Sequence, residues 1–231
     1  MSGIHQTKQG HWVLDGDPWI SKWVEDLGRL DHDRMIDTLC SLIPVGGVVI
    51  DAGAAIGDHT VFYGHAVGPS GLVVAFEPNP DAFACLVMNT RLQPWVEPLR
   101  MALGAVVGSV SMDYRPENIW ASGVSPSSKP DSFKILAKTI DSIVLERGLK
   151  RLDFIKMDVE GFEPEVIAGA IHSIQKFKPV IAAEINKGAL ARYGWDADDI
   201  YLPLFGLDYK LKMLDPTHTL ELPQFDCLFM P

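Results

Sequence analysis

The chain has only three cysteines, Cys40, Cys85 and Cys227, an odd number set far apart. That argues against a disulfide-stapled frame and fits reduced thiols in a cytoplasmic protein. Basic runs are missing as well: 20 lysines and arginines stand against 30 acids, for a net charge of −10. Without an Arg-rich stripe or a polybasic segment, binding to nucleic acid and to anionic membranes is disfavoured. No apolar run approaches the length of a membrane span. The first residues, Met1 to Lys8, are polar and lack the apolar core of a signal peptide. Low-complexity segments and internal repeats are absent too. What is there is 231 residues, 47% hydrophobic and 22% charged, enough for one α/β domain with a sizeable core.

One further gap carries information. Val48, Val49 and Ile50 form a β-branched run suited to a buried strand. The chain then passes Asp51, Gly53 and Gly57 and enters a helical pattern at Asp58. A strand that turns on glycines into a helix brings backbone N–H groups toward a ligand. A dinucleotide site wants G-x-G-x-x-G, and here the middle glycine is missing. The acid at the strand end also disfavours a pyrophosphate and suits a positive ligand such as the sulfonium of S-adenosylmethionine. The next apolar strand, 72–77, ends in Glu77, the usual position for a carboxylate that holds two ribose hydroxyls. A turn made only for tight packing would leave Glu77 unexplained.

Along the chain, 12–14 reads as a short strand, and Asp17-Pro18 as the cap and first residue of a helix ending at Gly28. Asp31 caps a second helix that stops at Pro44. These two helices, residues 1–44, are an N-terminal extension, either a packing layer or a lid, with Trp19 and Trp23 expected in its core. Residues 45–231 form the main domain. Its expected strands lie at 48–51, 72–77, 95–101, 152–158 and 179–185, alternating with helices, one of them running from 160 to 176. Short strands at 109–114 and 133–137 flank a polar loop, 115–132. A loop at 186–196 and a short helix holding Pro203 precede two final strands near 209–214 and 225–230. The pattern predicts an α/β fold: a mostly parallel sheet with a reversed terminal strand and helices on both faces.

The chain resembles the FkbM family of S-adenosylmethionine-dependent methyltransferases. The resemblance is carried by Ile50 to Gly57 with Thr60, Ala75 to Pro80, Asn89, Ala102-Leu103 and Thr139 to Asp141. It continues through Ile155 to Gly161, Gly169-Ala170, Pro179 with Glu184, and Cys227 to Pro231. The Lys-x-Asp-x-Glu-Gly segment that follows the glycine loop is the specific part. Where the family usually has Asn this chain has Ala55, and where it often has an aromatic it has His59. The resemblance implies the Rossmann-like, seven-stranded class I methyltransferase sheet. It also implies methyl transfer to a hydroxyl of a small molecule such as a sugar or secondary metabolite.

On that reading the cofactor contacts are Asp51, Gly53, Ala55, Gly57, Thr60, Glu77, Pro78, Asn79 and Ala102. Glu77 takes the ribose, Pro78 and Asn79 line the adenine edge, and Ala102 leaves room for the adenine. Asp58 and Asp81 read as first-turn acids favoured by the helix dipole. His59 faces the acceptor or is a half-exposed helix residue, and His32 reads as a surface helix residue. Strand alternation puts Lys156 and Asp158 on one face of a central strand, where a lysine is unusual. Asp158 is the candidate base for the acceptor hydroxyl, with Lys156 tuning it. A purely structural ion pair is the alternative for Lys156, and a divalent metal held by Asp158 and Glu184 is a rival. A partner subunit that binds the cofactor without chemistry, and a dinucleotide-dependent oxidoreductase, are the competing functions.

Overall fold

The computed structural model describes residues 3–30, 35–113, 123–125 and 132–231. Strands β1 (Ile4–Gln6) and β2 (Trp12–Leu14) precede helices α1 (Ile20–Leu27) and α2 (Ile36–Ser41). Then come β3 (Val48–Ala52), α3 (Thr60–Val67), β4 (Leu72–Phe76), α4 (Pro80–Thr90) and β5 (Val96–Leu99). A smaller unit follows: β6 (Ala102–Leu103), β7 (Gly108–Met112) and β8 (Phe133–Lys138). The chain returns through α5 (Ile140–Glu146), β9 (Phe154–Met157), α6 (Glu163–Ala168), α7 (Ile171–Phe177) and β10 (Val180–Asn186). It closes with α8 (Lys187–Ala191), α9 (Asp198–Phe205), β11 (Lys210–Met213) and β12 (Gln224–Met230).

The main sheet has seven strands in the order β11-β12-β10-β9-β3-β4-β5. Strands β10, β9, β3, β4 and β5 run parallel, and β12 lies antiparallel to both β10 and β11. The last strand in sequence is therefore the reversed one, inserted inside the sheet with β11 at its edge. Both faces are covered, so the central strands are mostly apolar, with Asp51, Lys156 and Glu184 as exceptions. Ile50, Val74, Ile155 and Ile181 pack with Ile143 of α5, Val166 of α6, Ile174 of α7 and Leu204 of α9. On the other face Val49, Val73, Phe154 and Ala182 pack with Leu39 of α2 and Tyr63 of α3.

The expected elements are present, with informative differences. Segment 12–14 has a partner, since β1 and β2 form a two-stranded antiparallel sheet. Its Val13 and Leu14 pack with Val24 of α1, Ile56 and Cys85 of α4. Asp17 does hold a helix start, accepting from the backbone N–H groups of Trp19 and Ser21, but α1 begins at Ile20 with Pro18 outside it. Gly28 ends that helix in the left-handed region, φ 69°. Strands β6, β8 and β7 make a separate three-stranded sheet. Asp31, His32 and most of 115–132 lie outside the described residues. The segment 186–196 is helical in its first half, capped by the Asn186 side chain on the Ala189 N–H. Among the described residues no helix is long and apolar enough to cross a membrane.

The single helix expected over 160–176 is two helices, broken at Gly169-Ala170. The cause is a close crossing. The Gly169 carbonyl accepts the Asp141 N–H at the start of α5, and a Cβ on Gly169 would lie 2.0 Å from the Gly104 carbonyl oxygen. Gly169→Ala must therefore push backbone from backbone, although its φ of −79° suits alanine. We expect a stability loss of ~1–3 kcal/mol, read as a melting temperature lower by roughly 3–10 °C. Gly188→Ala in α8, whose Cβ would meet nothing nearer than 3.5 Å, should leave the melting temperature unchanged or higher.

Candidate active site

A cavity of about 580 Å³ opens at the C-terminal ends of β3, β4, β9 and β10, the crevice where open α/β sheets bind ligands. Asp51, Gly53, Ala55, Glu77, Pro78, Asn79, Ala102, Lys156 and Asp158 line it together. Gly57 and Thr60 stand behind the wall. Gly57, at φ 87°, faces α4, where a Cβ would press on Leu86 Cδ1 at 2.9 Å. Thr60 is fully buried and donates its hydroxyl to Asp51 Oδ2 at 2.6 Å.

The glycine loop is shaped by the neighbouring strands. Gly53, at φ 81°, lies so close to β9 that a Cβ would sit 1.8 Å from the Asp158 carbonyl oxygen. The N–H groups of Gly53 and Ala54 are both taken by the Phe76 carbonyl at the end of β4. Ala55 holds a left-handed φ of 51°, a conformation that asparagine tolerates better than alanine. Its N–H donates to Glu77 Oε2 at 2.9 Å, while Glu77 Oε1 accepts the Asn79 N–H at 2.7 Å. Asn79 Oδ1 in turn caps α4 on the N–H groups of Asp81 and Ala82. Glu77 thus ties the glycine loop to the start of α4, and each of its oxygens keeps lone-pair capacity for one more donor. Burial pushes its carboxyl up to about 8, against the pull of those two N–H bonds and with the Asp51 and Asp158 carboxylates adding to the rise.

Lys156 sits beside Asp51 in the β3–β9 register and is buried, with 6% of its side chain exposed. Its ammonium lies 3.2 Å from Asp158 Oδ2. Burial alone would lower its pKa, but the carboxylates of Asp158, Asp226, Glu184 and Asp51 outweigh that and hold it above the ordinary lysine value. Glu184 and Asp226 face each other in the β10–β12 register, and Glu184 Oε1 accepts from Gln224 Nε2 at 2.8 Å. Burial pushes the Glu184 carboxyl up to about 8, with Asp158 adding to the rise and Lys156 opposing it. Burial likewise raises Asp51, against the Thr60 hydroxyl and Lys156. Among the described residues no group of three or more His, Cys, Asp or Glu is arranged to hold a metal ion.

Several lining residues escaped the sequence reading. Trp19 and Trp23 are 51% and 46% exposed and line the cavity, so they are not core residues. Asp58, Asp226 and Gln224 also line it, as does His59, for which facing the acceptor is one of the two readings. Asp226 could have been found from strand pairing with Glu184; the tryptophans carried no such signal. Glu163 was missed as well. It is buried, and its Oε1 accepts from the N–H groups of Val159 and Gly161, fixing the turn that carries Asp158. In that turn Glu160 takes a left-handed φ of 58°. Arg192 Nη2 donates to the Glu160 carbonyl, and Phe162, Tyr193 and Trp195 cluster beneath it.

A parallel sheet with one reversed strand, a glycine turn after its first strand and an acid closing the second define the class I methyltransferase architecture. Residues 51–211 match the Methyltransferase FkbM domain, and the chain belongs to that family. It is 34% identical over 142 residues to Hexuronic acid methyltransferase AglP of Haloferax volcanii, covering 61% of this chain and 56% of that protein. It is 27% identical over 157 residues to 31-O-demethyl-FK506 methyltransferase FkbM of Streptomyces tacrolimicus, covering 54% and 59%. The chain thus spans little more than half the length of these curated relatives. The crystal structure of Methyltransferase FkbM from Methylobacillus flagellatus superposes with a TM-score of 0.52 at 16% identity, over 93% of this chain and 61% of that one. A SAM dependent methyltransferase from Aquifex aeolicus gives 0.50 at 15% identity, over 90% and 95%. Both share the fold.

Glu163 gives this site a pH signature. Burial pushes its carboxyl up to about 7 from 4.5, and its second oxygen, Oε2, is buried without a hydrogen-bond partner among the described residues. The folded chain then holds a proton there that the unfolded chain has released. This contribution to stability is lost as pH rises from 4.5 to about 7. Glu163→Gln keeps the acceptor for Val159 and Gly161 and removes the titration. In urea unfolding, the stability of the variant relative to the parent should rise by on the order of 2–3 kcal/mol between about pH 4 and about pH 8. A constant difference across that window would contradict the assignment.

Proposed function

We propose that the protein is an S-adenosylmethionine-dependent methyltransferase that O-methylates a hydroxyl of a small molecule, such as a sugar or secondary metabolite. The observation that carries this reading is the meeting of Asp51, Glu77 and Asp158, from the ends of three adjacent parallel strands, on one cavity. Membership of the FkbM family supports it, as do the relatives' names, one for a hexuronic acid methyltransferase and one for a 31-O-demethyl-FK506 methyltransferase.

The donor set fits the cofactor. Glu77 keeps an acceptor site on each oxygen for the two ribose hydroxyls. Pro78 and the small Ala102 offer apolar surface for the adenine, with Asn79 at its edge. Asp51, Gly53 and Ala55 line the part of the cavity suited to the aminoacyl and sulfonium end, where carboxylates favour positive charge. When bound, S-adenosylmethionine supplies an electrophilic methyl group. The protein's part is to orient the acceptor oxygen and take its proton. Asp158 is the group for that proton: it lines the cavity at the end of β9 and its side chain is 36% exposed, so an acceptor hydroxyl can reach it. Lys156 behind it fixes the carboxylate through their 3.2 Å ion pair. Residues 1–44 act as a cap, because α1 brings Trp19, Ile20 and Trp23 to the cavity mouth. The three free thiols fit a cytoplasmic location, and the acidic balance of the chain speaks against a nucleic-acid substrate.

Calorimetry should detect S-adenosylhomocysteine binding and no NAD binding. Glu77→Ala should weaken that affinity by ~10–100-fold through lost charge-assisted hydrogen bonds. It should also lower the melting temperature, because the Ala55 and Asn79 N–H groups lose their acceptor. An unchanged dissociation constant would show the ribose to be held elsewhere. Asp158→Asn should keep cofactor-product affinity within a few-fold and lower methyl transfer by ~10²–10⁴-fold. Turnover near that of the parent would remove Asp158 as the base.

A further inference from the structure

The end of the cavity away from Glu77 has an unusual charge. Asp158, Glu160, Glu184 and Asp226 all line it, and Lys156 is the one lysine or arginine among the described lining residues. The Lys156 side chain is 6% exposed and its ammonium is already paired with Asp158, so it has little capacity left for an incoming anion. A carboxylate-bearing acceptor would meet like charges in a partly desolvated space, which is costly. A positively charged acceptor would be drawn in.

Carboxylates alone would suit any cation, and two independent features narrow the choice. Trp19, just before α1, and Trp23, one turn into it, line the same cavity while about half exposed. Indole faces attract ammonium groups and pack against the C–H faces of saturated rings. The side-chain amides of Asn186 and Gln224 line the cavity beside the acids and offer donors and acceptors for hydroxyl groups. Among the described residues no three acids are arranged to hold a metal ion.

We propose that the methyl acceptor is a hydroxylated ring bearing an ammonium group, of the amino-sugar class, with the ammonium held by Glu184 and Asp226 and the ring covered by Trp19 and Trp23. This rests on the methyl-transfer reading and names its acceptor. The acceptor hydroxyl is then presented to Asp158 from a ring already anchored at its neighbouring amine. Glu184 adapts to such a guest. Its carboxyl, pushed up to about 8 by burial and by Asp158, ionises when a positive charge arrives, so binding near neutral pH releases protons.

The test titrates the protein, first saturated with S-adenosylhomocysteine, with glucosamine, glucose and glucuronate, followed by calorimetry and tryptophan fluorescence. Glucosamine should bind at least ~10-fold tighter than glucose and quench the fluorescence, with glucuronate weakest. Its affinity should fall with added salt, and its binding heat should vary with buffer ionisation enthalpy as protons are released. Asp226→Asn should bring glucosamine toward the affinity of glucose, with S-adenosylhomocysteine binding in the same cell certifying the fold. Trp19→Leu with Trp23→Leu should weaken all three sugars and abolish the quench. Glucosamine binding no tighter than glucose, glucuronate binding tightest, or no sugar binding while S-adenosylhomocysteine does, would each overturn the acceptor class. Failure of S-adenosylhomocysteine itself to bind would overturn the methyl-transfer reading beneath it.

Discussion

A buried ammonium organises this protein. Lys156 stands inside a central strand of a sheet covered on both faces, where a charge costs several kcal/mol unless it is matched. Its match is drawn from four strands: Asp51 on β3, Asp158 just after β9, Glu184 on β10 and Asp226 on β12. The parallel registers put Asp51 directly beside it, and the antiparallel entry of β12 sets Asp226 opposite Glu184. The reversed strand brings a fourth acid to the sheet end, and Asp51, Asp158, Glu184 and Asp226 all line the cavity there.

The cofactor side follows a different logic, in which backbone fills the space that side chains leave. Gly53 has no Cβ because the Asp158 carbonyl occupies that position, and Gly57 yields its space to α4. The loop between them is pinned by the Phe76 carbonyl and by Glu77. The acid expected to take a ribose thus also holds the loop in shape, which couples cofactor affinity to local stability. Burial raises its pKa and the Asp51 and Asp158 carboxylates add to the rise, while the two backbone amides pull the other way. A ligand offering two hydroxyl donors would favour its charged form.

The parts of this arrangement that depend on local pattern could be read in the sequence. The β-branched run at Val48, the acid after Phe76, the Asn79-Pro80 cap and the out-of-place Lys156 each announce themselves within a few residues. What could not be read depends on contacts between distant segments. The helix break at Gly169 exists because Gly104 crosses it, and no local signal predicts the crossing. Trp19 and Trp23 recur at helical spacing like core residues, and only the position of α1 over the cavity turns them outward. Glu163 looks like an ordinary first-turn acid until the turn at Val159 to Gly161 folds back on it. Gly57 and Thr60 belong to the motif by position yet serve packing and the hold on Asp51.

If Lys156 is what allows the acids to gather, its removal should be felt most when they are charged. The direct measurement is the unfolding free energy of Lys156→Met, whose side chain is of similar length and carries no charge. The account predicts a loss of ~3–5 kcal/mol at about pH 8, shrinking toward about pH 5 as Glu184, whose carboxyl burial pushes up to about 8, takes up its proton. A variant as stable as the parent at both pH values, or one equally destabilised at both, would contradict it.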